Sequence, residues 1–217
     1  MLLKIAGEDL LRSVEAIQTA YDYFDLGVRT SSEQRWLHCS RKAVDRFKEQ
    51  LEQIQTVLQV RAHAARPQLR PVSVHELLRQ VRREHEHAAL SKGICMRVVP
   101  IDDSIKSDDL LLGAALRNLV SNAIRYTRPG GRILIGCRGF EASIRIDVYD
   151  TGVGIPGEQI PKIFDAFTRL DPGRCEGSGI GLFIVRQAIL ILGHRIEVAS
   201  VPGRGSRFSI LVPRAGR

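Results

Sequence analysis

From Leu10 the apolar residues recur as Leu10, Val14, Ile17, Tyr21 and Phe24, in alternating steps of four and three, the seam of a coiled coil or helical bundle. After Gly27, the run Thr30-Ser-Ser-Glu33 reads as a capping box, and a second seam follows at Val44, Phe47, Leu51, Ile54 and Leu58. The two helices form an antiparallel hairpin. An isolated hairpin cannot bury both seams, so a partner surface is implied. A four-helix bundle made from two chains is the simplest solution. A hairpin folded back on the chain's own second domain is the alternative.

The pattern changes beyond Arg61, where a polar, basic stretch with Pro67 and Pro71 reads as a linker. Residues 1–62 are thus expected to form the hairpin, 63–71 the linker and 72–217 a second domain. Ser73-Val-His-Glu76 caps a helix running to about Leu90, and Cys95 to Val99 reads as a strand. A further helix starts at Ser107 or Asp108, extends to about Tyr126 and is ended by Pro129-Gly-Gly131. Arg132 to Arg138 and Ser143 to Tyr149 form a β-hairpin. In its second strand Ile144, Ile146 and Val148 alternate with Arg145, Asp147 and Tyr149, so one face is buried. A helix from Gly179 to Leu192 and strands near Arg195 to Ser200 and Arg207 to Val212 complete the set. The expected fold class is α+β: the hairpin, then a sandwich of a mixed sheet covered on one face by three helices.

At 217 residues and 44% apolar composition the chain can build two cores. Its longest apolar stretches, such as Leu110 to Leu116, fall far short of a membrane span, and no signal-peptide pattern opens it. A soluble fragment without membrane contact is expected. Cys39, Cys95, Cys137 and Cys175 lie far apart with no CxxC pair, which fits a reducing cytoplasm. The net charge of +8 is spread along the chain with few aromatic neighbours, so nucleic acid is not the expected partner. Part of the excess can instead meet nucleotide phosphates or an acidic protein.

Candidate chemistry lies in the second half, as four motifs in one order: Asn118-Leu-Val-Ser-Asn122, Asp150-Thr-Gly-Val-Gly154, Phe164-Asp-Ala-Phe167 and Gly177-Ser-Gly-Ile-Gly-Leu182. Each alone is a common turn or polar helix face. In this order and spacing they resemble the ATP-binding domain of sensor histidine kinases, within the GHKL-type superfamily shared with Hsp90, type II topoisomerases and MutL. The resemblance extends through Gly193-His-Arg-Ile-Glu-Val-Ala-Ser and Pro202-Gly-Arg-Gly-Ser-Arg-Phe. The Phe-Asp-Ala-Phe segment and the helical hairpin favour the histidine-kinase branch.

That resemblance implies ATP with Mg2+. Asn118 and Asn122 share a helix face, with Arg125 and Tyr126 one turn on. Asn122 is expected to coordinate magnesium, which takes hard oxygen ligands and keeps most of its waters. Asn118 supports it, Arg125 meets the terminal phosphates, and Tyr126 lies beside the adenine. Asp150, closing the alternating strand, accepts from the adenine amine, while Gly152 and Gly154 let backbone approach the base. Gly177, Gly179 and Gly181 open a helix whose amides attract phosphate, with Ser178 as a further donor and Leu182 beside them. The segment from Pro156 to Glu176 is similar to a mobile lid, anchored by Phe164 and Phe167, with Arg169 and Arg174 as candidate phosphate contacts.

The same resemblance exposes a departure. Ala6-Gly-Glu-Asp-Leu10 aligns with a subgroup whose first helix carries His-Asp-Leu-Arg, so Glu8 stands in the phosphoacceptor position and Asp9 keeps the neighbouring acid. Leu11 and Ser13 replace the usual Arg and Pro. With Leu10 on the seam, Glu8 and Asp9 fall on the helix flank, where a phosphoacceptor is reachable and where a solvated acidic pair would equally lie. His38, His63, His75, His85 and His87 have no sequence context like that of Asp9, and His194 reads as structural. Glu8 is either natural or introduced to block phosphorylation. Three functional readings follow: a sensor histidine kinase core acting on a response regulator receiver domain as a homodimer; a nucleotide-binding pseudokinase that docks a regulator or another kinase; and a phosphatase of a phosphorylated regulator.

Overall fold

The computed structural model describes residue 17, residues 31–168 and residues 179–215. The first predicted helix, with Glu8 and Asp9, lies outside these residues, as do Arg169, Arg174, Gly177 and Ser178. The chain divides into two compact units, Met1–Arg61 and Ala62–Arg217.

Helix α1, Ser31–Ala64, carries the second seam. Leu51 is buried, but Phe47 and Ile54 on the same seam remain 47% and 49% exposed. The helix runs past residue 62, so the first residues of the expected linker are helical.

The second unit's first strand is β1 (Arg70–Ser73), whose first two residues fall in the expected linker. It pairs antiparallel with β3 (Ser104–Ser107), a strand not anticipated at all. In a separate two-stranded ribbon both strands are edges, which tolerates Pro71, a residue that cannot donate to a ladder. Between them lie α2 (Val74–Ser91) and β2 (Cys95–Val99). The Ser73 hydroxyl accepts from the Glu76 amide at 3.3 Å, satisfying one of the orphan donors of the first turn. Helix α3 (Asp109–Tyr126) is capped by Asp108, whose carboxylate accepts from the Leu110 and Leu111 amides.

Strands β4 (Arg132–Gly139) and β5 (Ser143–Asp150) form the predicted hairpin. A 3-10 turn (Gly157–Lys162) and α4 (Gly181–Leu192) follow, then β6 (Arg195–Val201) and β7 (Gly205–Pro213). The main sheet has the order β2-β4-β5-β7-β6. Only the β2–β4 pair is parallel, so the sheet is mixed as expected.

Register sets Ile146 opposite Ile210 and Val148 opposite Phe208, all buried on one face. Helix α3 lies over β5 between α2 and α4, which is why it is apolar on most sides, from Leu111 through Ile124. Each fully buried Leu or Ile in this layer contributes roughly 2 kcal/mol of hydrophobic stabilisation. The core thereby fixes the C-terminal end of α3 against the end of β5.

Candidate functional site

One backbone contact joins the asparagine helix to the acidic strand end, and a lysine from the end of α2 holds the same turn. The Val153 amide donates to the Tyr126 carbonyl at 3.3 Å, and the Lys92 ammonium donates to the Ile124 and Arg125 carbonyls at 2.7 and 2.6 Å. Lys92 thus satisfies carbonyls that the last turn of α3 leaves orphaned. On the other side the Ser200 hydroxyl accepts from the Ile155 amide (2.7 Å) and donates to the Gly205 carbonyl (3.0 Å), while the Gly203 amide donates to Val153. The loop after Asp150 is held between α3 and the β6–β7 turn.

The glycines of this loop answer to the protein's own packing. A side chain on Gly152 would meet the Tyr126 carbonyl at 2.6 Å, and one on Gly154, whose φ is +69°, would strike the Val201 carbonyl. Beside the expected role of admitting the base, both glycines are required for closure of the loop that frames the cavity.

That cavity measures about 330 Å³, within the range of small-molecule sites. Asn122 and Tyr126 from α3, Asp150 and Gly154 from the β5 end, and Leu182 from α4 converge on it. Ile155, Ile163 and Phe208 make its apolar wall, and Gln159, Thr168 and Ser206 add polar atoms. None of these six was singled out from the sequence. Ser206 and Phe208 sit inside the quoted Pro202–Phe208 run, the one signal that could have found them; the others carry no motif.

Asp150 is the single carboxylate among the described residues of the lining. Burial raises its pKa above the ordinary carboxylate value, offset in part by amide hydrogen bonds from Gly152, at 2.8 Å, and Ser206. A half-buried carboxylate at the bottom of an apolar slot suits a planar base with an exocyclic amine.

Asn118 donates to the Ala114 carbonyl at 2.9 Å. A Cβ on Gly181 would lie 3.1 Å from the Asn118 amide oxygen and 3.6 Å from the Asn122 amide nitrogen. The start of α4 therefore meets the asparagine face directly, and a side chain at position 181 would press on the Asn118 amide. Among the described residues there is no cluster of three or more His, Cys, Asp or Glu. A metal here would rest on Asn122, water and ligand oxygens, a donor set that suits magnesium. Arg125, at the end of α3, is outside the cavity lining.

Phe164 is half-buried, but the Phe167 ring is 74% exposed and its φ is +64°, uncommon for a residue with a side chain. Its amide donates to the Gly179 carbonyl at 3.0 Å, so the described chain on either side of residues 169–178 is tied by backbone. Ile163, at 4% exposure, supplies the apolar anchor expected of Phe167.

His75, His194 and Cys137 stand outside the slot. His75 does face a carboxylate, with Asp102 Oδ1 3.1 Å from its Nδ1, but outside the cavity lining. Burial pushes His194 down to about 4 and the Cys137 thiol up to about 12.

Residues 107–216 match the family model described as histidine kinase-, DNA gyrase B-, and HSP90-like ATPase. The chain belongs to this family. It is 38% identical over 135 residues to the sensor histidine kinase CusS of Escherichia coli O157:H7, covering 60% of this chain and 28% of CusS. It is 30% identical over 175 residues to the sensor protein DivL of Caulobacter vibrioides, covering 80% of this chain and 22% of DivL. The chain thus spans less than a third of these curated relatives. The crystal structure of full-length ShkA in complex with AMPPNP superposes with a TM-score of 0.73 at 23% identity, over 100% of this chain and 46% of ShkA. This likeness is one of fold.

Proposed function

We propose that this chain is the cytoplasmic core of a two-component sensor histidine kinase that binds Mg-ATP in the cavity between α3, the β5 end and α4. The observation that carries the reading is the convergence of Asn122, Tyr126, Asp150, Gly154 and Leu182 on one slot. Asp150 accepts from the adenine amine and the apolar wall holds the ring. Asn122 supplies a neutral oxygen to magnesium, supported by Asn118. Gly179, Gly181 and the amides opening α4 take the phosphates together with Arg125, Ser178 and Arg169. ATP supplies the phosphoryl group, and the protein's part is positioning and charge neutralisation. Membership of the ATPase family and the AMPPNP-bound state of the ShkA structure support the choice of ligand.

The half-exposed seam of α1 supports a homodimer through the hairpin, and a response regulator receiver domain is the expected partner. Glu8 has no imidazole to attack phosphorus, so acid-labile labelling at position 8 is not expected of this sequence. A second reading rests on that residue: a pseudokinase that binds nucleotide to set its shape and docks a regulator or another kinase. Calorimetric titration of ATP with magnesium, for the chain and for Asn122→Ala, tests the site; equal affinities would remove Asn122 from it. Incubation with labelled ATP, alone and as Glu8→His, separates the two readings. Label gained only by Glu8→His supports the kinase core with a blocked acceptor. Nucleotide binding without label in either favours the pseudokinase.

A further inference from the structure

The helix-free face of the main sheet is a second surface with its own composition. The outward positions of its five strands carry six arginines, Arg97, Arg132, Arg138, Arg145, Arg195 and Arg207, against two carboxylates, Asp147 and Glu197, and no lysine. Both carboxylates are occupied. Asp147 meets Arg145 at 3.0 Å and accepts from Ser209 at 2.5 Å, and Glu197 meets Arg195 at 3.0 Å. Arg207 lies over the Tyr149 ring. Arg97, Arg132 and Arg138 are exposed and make no ion pair with any described residue. Beside them stand apolar groups in the open: Leu134, which register places next to Arg97, and Phe140 under Arg138, 38% and 42% exposed.

We propose that this face docks the acidic surface of a folded protein partner, with Arg97, Arg132 and Arg138 as the carboxylate contacts and Leu134 as the apolar anchor. Three observations select a protein. The cations are all arginine, whose planar fork matches carboxylates and which interfaces enrich while depleting lysine. Open apolar groups are interleaved with them, as in an interface core with a polar rim. The carboxylates Asp147 and Glu197 stand within the patch, where they would repel a continuous polyphosphate track. The inference does not depend on the nucleotide reading, because the cavity opens on the helix-covered side of the sheet.

The test is a titration of the full chain, isotope-labelled for NMR, with a 20-residue helical peptide bearing a row of glutamates and two leucines on one face. Shifts are expected at β2, β4 and β5. Arg97→Gln/Arg132→Gln/Arg138→Gln should weaken binding about tenfold. The matched variant Arg79→Gln/Arg82→Gln/Arg83→Gln on α2 should leave it within about twofold, and both should keep the nucleotide affinity of the parent chain. Arg97→Gln alone, with an expected loss of about two- to threefold, serves if the triple variant does not fold. Equal losses in the two triple variants, shifts confined to other surfaces, or tighter binding of a 20-base-pair duplex or of phosphatidylserine vesicles to this face would overturn the proposal.

Discussion

Asp150→Asn is the sharpest perturbation of the candidate site, because it exchanges one acceptor oxygen for a donor and leaves shape almost unchanged. A hydrogen bond to a charged, partly desolvated carboxylate is worth about 2–3 kcal/mol. Its loss, with an amide donor then facing the adenine amine, should raise the Kd for ATP roughly 30- to 150-fold. Stability should move the other way. Burial raises the Asp150 pKa, so the folded protein holds the ionised form at a cost, while the Asn oxygen can still accept from the Gly152 amide. Asp150→Asn should therefore melt at or above the temperature of the parent. The pH profile adds a third reading. ATP affinity of the parent should fall on acidification, starting above the range of an ordinary carboxylate, and the variant should lack this fall. Calorimetry across pH, with melting curves on the same samples, measures all three. An Asp150→Asn chain that binds ATP within threefold of the parent, or that loses affinity only because it unfolds, would refute the assignment.

Other consequences are as direct. Gly154→Ala places a side chain at a left-handed φ and against the Val201 carbonyl; a loss of about 2–4 kcal/mol and a drop in Tm of roughly 10 °C are expected. Gly136→Ala, with open space around it, serves as the control that should stay within a few degrees. Burial holds His194 near 4 against its ordinary 6.5, with Ser107 Oγ 2.9 Å from Nε2 and Nδ1 buried without a partner. Below pH 6.5 the unfolded chain takes up a proton that the folded one refuses, so stability falls between pH 6.5 and 4, by at most about 3 kcal/mol. His194→Gln should flatten that slope in urea titrations. Ile54→Glu should shift the chain from dimer to monomer in sedimentation velocity without changing ATP affinity; an unchanged dimer would assign the seam to another contact.

Much of the second unit was legible because its elements are long and their periods distinct. The alternation of β5 and the capped apolar runs of α2 and α3 announce themselves, and two of the four motifs sit on them, the asparagines within α3 and Asp150 at the end of β5. What stayed hidden follows from weaker signals. β1 and β3 are four residues each and carry Arg70, Pro71 and Lys106, so no alternation emerges from them. The strand expected near Arg207 begins two residues earlier, at Gly205, because only in three dimensions does the Asp150 backbone pair with Ser206 and crowd against Gly205. Ile163, Thr168 and Gln159 line the slot from a segment without period, placed there by tertiary packing. The exposure of Phe167 was likewise unreadable, since an aromatic in a motif looks like core until its φ is known.

Strand β7 follows every other described strand along the chain, yet it lies inside the sheet, hydrogen-bonded to β5 on one flank and β6 on the other. Until translation passes Pro213, the Asp150 strand has an open edge and the slot lacks Ser206 and Phe208. A copy terminated before β7 therefore holds the asparagine helix and the glycine turns of the β5 end but lacks two residues that line the slot and the strand that closes its sheet.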